Sequence, residues 1–119
     1  MRTIGDIQPV WKKLQTTDTT LLTGTPQRLQ VMSIWLCNTN AAARTVDLTV
    51  TSDSVDYELL KGFEIPANGK EIIQAQSWPV LTINDGEVLK GLCSNNNDDV
   101  HIALVTTTLG TADYGGASL

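Results

Sequence analysis

The residues able to do chemistry are few and scattered. The chain has one histidine, His101, so any site that needs two imidazoles is excluded, while carboxylate-only chemistry survives. Cys37 and Cys93 are too far apart for a redox pair or a zinc knuckle. They read as free buried thiols, with a bridge between them as the alternative. Carboxylates pair at Asp98-Asp99 and at Asp85 with Glu87, in both cases among turn-forming residues. A glycosidase holds two carboxyls across a cleft, and a chain of 119 residues offers little cleft. No serine has the Gly-x-Ser-x-Gly surroundings of an activated nucleophile. The loops Asn95-Asn96-Asn97-Asp98-Asp99 and Asn84-Asp85-Gly86-Glu87 offer oxygens to Ca²⁺ but lack the spacing of an EF-hand. Asn and Asp serve hairpin turns equally well. The expectation is a protein without catalytic, metal or cofactor site, and not an enzyme.

Recognition is a different matter. Eight basic against thirteen acidic residues give a net charge of −5, which argues against nucleic acid or an anionic membrane as partner. Lys12 and Lys13 beside Trp11 form the one basic-aromatic cluster. Among the aromatics, Trp35 sits in the most apolar stretch and is expected in the core. Trp78, before Pro79, is the candidate platform for a glycan ring. No stretch approaches the ~20 apolar residues of a membrane span, and no apolar segment follows Met1-Arg2 as in a secretory leader. Folding in a cytoplasm is expected.

The elements that must carry these residues are strands. Sixteen threonines and nine glycines, with 41% apolar and 18% charged residues, suit one small β-rich domain. Thr19–Thr23 is a short strand stopped by Gly24-Thr25-Pro26. Gln27–Asn38 is apolar on both faces, with Leu29, Val31, Trp35 and Cys37 on one and Met32, Ile34 and Leu36 on the other. Such a strand is expected to be covered on both sides. Arg44–Thr51 alternates, with Val46, Leu48 and Val50 inward and threonines outward. Strands follow at Leu59–Ile65, Lys70–Gln74, Glu87–Ser94 and Val100–Leu109, separated by turns at Pro66-Ala67-Asn68-Gly69, Asn84-Asp85-Gly86 and Asn95–Asp99. The spacing predicts an all-β antiparallel sandwich or jelly roll of about 7–8 strands over residues 19–109.

Residues 1–18 and 110–119 read as extended terminal arms. The first holds apolar residues without a period of its own, interrupted by Pro9, Lys12 and Lys13; the second holds Tyr114 and Leu119. Arms of this kind are expected to dock on neighbouring subunits. The expected subunit interface is Val10, Trp11, Met32, Ile34, Leu36, Tyr114 and Leu119, giving a homo-oligomer.

The run Val31-Met32-Ser33-Ile34-Trp35-Leu36-Cys37-Asn38-Thr39-Asn40, the alternating strand after it and the turn Ile65-Pro66-Ala67-Asn68-Gly69 carry a resemblance. With Leu81–Glu87 and the final alternating strand, they resemble the small β-sandwich virion structural proteins of tailed bacteriophages. The resemblance spans about residues 20–109 and departs from the pattern in its two cysteines and in Glu87. It implies self-assembly without catalysis, in the virion after assembly in the host cytoplasm. The implied partners are other virion proteins, either the major capsid protein or tail and neck proteins. Capsid decoration or cement, a neck, tail or fibre-attachment component, and a carbohydrate- or receptor-binding sandwich module all remain open.

Overall fold

The computed structural model describes residues 7–75 and 79–108. These form nine antiparallel strands: β1 (Ile7–Leu14), β2 (Thr19–Thr23), β3 (Leu29–Asn38), β4 (Arg44–Ser52), β5 (Val55–Ile65), β6 (Lys70–Gln74), β7 (Leu81–Ile83), β8 (Val88–Cys93) and β9 (Val100–Thr108). One sheet has the order β1-β9-β3-β6, and β7 pairs with β3 on the same edge as β6. The other has the order β2-β8-β4-β5. The two pack face to face as a β-sandwich. Among the described residues no helix is long and apolar enough to cross a membrane.

Alternation builds the core. Val46, Leu48 and Val50 of β4, Leu89 and Cys93 of β8, and Val100, Ile102 and Leu104 of β9 point inward and are buried. Each fully buried aliphatic side chain of this kind is worth roughly 1.5–3 kcal/mol of transfer free energy. The turns follow their residues. Asp53 and Ser54, both at positive φ, make a two-residue hairpin between β4 and β5. Asn68 takes a left-handed conformation while Gly69 N–H donates to the Pro66 carbonyl at 3.0 Å.

Two expectations need correction. Residues 7–14 are not an arm but the edge strand β1, paired with β9 from Ile7↔Thr107 to Leu14↔Val100. An edge strand accommodates Pro9 and the paired lysines that made the segment look irregular, because one of its sides needs no hydrogen-bond partner. The second correction concerns β3. Its register against β9 shifts between Val31↔Thr106 and Ser33↔Val105, leaving Met32 as a bulge. The extra residue moves Val31, Ile34 and Leu36 to the same side, and all three are buried in the core. Trp35 and Cys37 therefore point away from it, and Trp35 is not the core residue its neighbours suggested.

Candidate functional site

The bulge at Met32 and the edge position of β1 together create the most distinctive surface of the molecule. Trp11 lies opposite Ala103, Ala103 opposite Trp35, and Trp35 opposite Ile72, so four strands contribute one straight row. The row runs along the outer face of the five-stranded sheet, opposite the buried Ile34, Leu36, Ile102 and Leu104. Trp11 is 71% exposed and Trp35 43%. Ala103, though it faces outward, is only 4% exposed, being covered by the two indoles on either side. Two strand spacings separate the tryptophan backbones, about 10 Å.

Ser33 fixes one of these rings. It shares the outer face with Trp35, and the indole N–H donates to its Oγ at 3.0 Å. The indole thus lies back along β3. With alanine as the small residue between two large ones, the surface dips. Two hollows of about 250 and 240 Å³ flank Ala103, the first reaching Cys37, His101 and Lys70, the second Pro9 and Val105. A third, of about 250 Å³, is bordered by Trp11, Lys12, Lys13 and His101.

The next row along the strands is Lys13, His101, Cys37 and Lys70. Cys37 and His101 are register partners, but no hydrogen bond joins thiol and ring. His101 Nε2 instead donates to the Asp98 carbonyl at 3.0 Å. Cys93 belongs to the opposite sheet, buried, with Sγ against the carbonyls of Leu14 at 3.2 Å and Asn95 at 3.0 Å. Burial raises its pKa above the ordinary thiol value. Both cysteines are free. The expectation of two buried thiols holds for Cys93 but not for Cys37, which the bulge at Met32 turns to the outer face.

The Asn- and Asp-rich loops work on the fold. Asn38 is 1% exposed and donates through Nδ2 to the carbonyls of Ala42, Ile65 and Pro66 at 2.9–3.2 Å, tying the β3–β4 loop to the β5–β6 turn. Asp99 accepts from Asn40 at 3.0 Å and pairs with Arg44 at 3.3 Å. Gln15 donates to the Asp98 side chain. Among the described residues no group of three His, Cys, Asp or Glu side chains converges as a metal site.

Of the residues expected at an interface, Trp11 alone stands out from the sheet on this face. Val10 packs against the core, and Ile34 and Leu36 are part of it, while Met32 is the bulge. A neighbour would therefore meet the face opposite to the one expected for β3. Tyr114, Leu119 and the candidate glycan platform Trp78 lie outside the described residues. Sequence reasoning missed Ala103, Ile72 and the exposure of Trp35. Their signal resides in cross-strand register, which alternation within one strand does not contain. The chain matches no protein-family model and no curated protein.

Proposed function

We propose that the chain is a non-enzymatic virion structural protein, of the small β-sandwich kind carried by tailed bacteriophages, which joins other virion proteins through the outer face of its five-stranded sheet. The observation that carries this reading is the row Trp11–Ala103–Trp35–Ile72. Two exposed tryptophans and an isoleucine aligned over four strands form an apolar strip of the sort that marks association sites. The sandwich supplies a rigid support with its own complete core, so docking requires no refolding. Capsid decoration is the placement we favour, with neck, tail or fibre attachment as the alternative, and the terminal segments as contacts between copies in a homo-oligomer. Assembly would take place in the host cytoplasm.

Sedimentation of the purified chain, alone and with virion proteins, tests the proposal. Association is expected, and it should be lost in the double variant Trp11→Ala, Trp35→Ala while that variant keeps its melting temperature. A folded monomer that joins no virion protein would overturn it.

The same tryptophan pair supports a second reading as a carbohydrate- or receptor-binding module, because indole faces stack on sugar rings. On this reading the platform is Trp11 and Trp35, since Trp78 lies outside the described residues. Binding of glycans that is unchanged by Trp11→Ala would remove its support.

A further inference from the structure

The charge around the aromatic row narrows what it can receive. On this face the described strands present Lys13 and Lys70 with His101 between them, one row away from Trp11, Ala103 and Trp35, and present no Asp or Glu. Neither lysine forms an ion pair with a described residue. The neighbouring loop carboxylates are engaged elsewhere, Asp99 by Arg44 and Asp98 by Gln15. The other sheet differs. There Lys61 lies 3.6 Å from both Asp47 and Glu58, and Lys90 3.6 Å from Asp56. In a chain of net charge −5, two uncompensated lysines beside the row of Trp11, Ala103 and Trp35 are an asymmetry that a partner can complement.

Resting on the docking role proposed above, we infer that the outer face binds a protein segment with a bulky apolar side chain and flanking carboxylates. The side chain sits over Ala103 between Trp11 and Trp35, and the carboxylates meet Lys13 and Lys70. The same face of a second copy does not fit. A two-fold axis along the strands sets Lys13 against Lys70; one across them sets both lysines over Pro9, Val105 and Gln74. Neither brings an anion to the lysines. A sugar fits less well than a side chain, since the second hollow is lined by Pro9, Trp11, Trp35, Ala103 and Val105 and would leave buried hydroxyls unpaired.

The test uses the full chain and three synthetic decapeptides. One has a central Leu-Phe-Leu flanked by aspartates, one replaces the aspartates with lysines, and one replaces the central residues with alanines. The indole N–H signals of Trp11 and Trp35 are followed by NMR, assigned through Trp11→Phe and Trp35→Phe. The acidic apolar peptide should move both signals and bind at least ten-fold more tightly than either control. Its affinity should fall at least ten-fold in Trp11→Ala and in the double variant Lys13→Glu, Lys70→Glu. Equal binding of the lysine peptide, or no movement of either indole, overturns the inference. So does movement by cellohexaose or chitohexaose in place of the peptide. So does self-association abolished by both Trp11→Ala and Asp47→Lys, which would assign the face to the acidic sheet of a second copy. A chain that joins virion proteins through Trp11 and Trp35 yet ignores the acidic peptide refutes this inference and leaves the docking role standing.

Discussion

Trp35 and Ser33 stand two residues apart on the same face of β3, joined by a hydrogen bond from the indole N–H to the hydroxyl at 3.0 Å. The bond keeps a half-exposed ring against the sheet instead of upright in solvent. Ser33→Ala should cost about 0.5–1.5 kcal/mol, the worth of one such bond, in a urea titration. The larger effect should be on the ring: the Trp35 indole N–H signal should shift and broaden as the side chain samples other rotamers.

Asn38 is the polar residue whose loss should hurt most. Its amide serves three carbonyls, and its Oδ1 accepts from Asn40 N–H at 2.9 Å. Asn38→Ala strands buried acceptors that water reaches poorly, so a loss of about 2–4 kcal/mol is expected in equilibrium unfolding. Asn38→Asp should be at least as damaging, because it directs an acceptor at three acceptors.

The two thiols should separate cleanly by reactivity. Cys37 is exposed between His101 and Lys70, whereas Cys93 is buried with a raised pKa. Alkylation of the native protein, read by mass spectrometry, should modify Cys37 at once and Cys93 only on unfolding. A two-proton mass deficit without reductant would instead reveal a bridge.

Acid should loosen the turn at Asn84–Glu87. The Glu87 carboxylate accepts from Asn84 N–H and from Ser52 Oγ, both at 2.9 Å, and these bonds hold its pKa below the ordinary 4.5. A pKa lowered by folding contributes stability that is complete above the unfolded value and disappears as pH falls through the folded one. Asp56, lowered by its bond from Thr51 and by Lys90, acts in the same direction. Melting temperature should therefore drop as pH falls below about 4.5, with a shallower slope in Glu87→Gln.

Gly24 should accept no side chain. Its N–H donates to the Glu87 carbonyl at 2.8 Å, and an added Cβ would stand 1.7 Å from the Asn84 carbonyl oxygen. Main-chain atoms on both sides have to move, so Gly24→Ala should cost about 3 kcal/mol or more in thermal unfolding.

Much of this architecture can be read from the chain. The inward run Val46, Leu48, Val50, the bounds of β2 and β6 and the turn at Pro66–Gly69 follow from alternation and turn chemistry. The surface row follows from neither. Trp11 could be singled out in the sequence but not placed in a strand, because Pro9 and the lysines hide a β pattern that an edge tolerates. Trp35 looked internal because its neighbours are apolar, and nothing local marks Met32 as the residue left out of the pairing. Ala103 gains meaning only from the tryptophans opposite it, on strands far away in the chain.

Met32 gives β3 a change of parity. Upstream, odd-numbered Val31 faces the core; downstream, even-numbered Ile34 and Leu36 do. Deleting this single residue would leave the pairing on both sides as it is, with Val31, Ile34 and Leu36 inward and Trp35 outward. Keeping it and pairing it with Val105 would exchange the two sides downstream, sending Trp35 and Cys37 inward and Ile34 and Leu36 to the solvent. The aromatic face thus depends on one residue being left out of a ladder: the same letters, paired without a gap, would bury it.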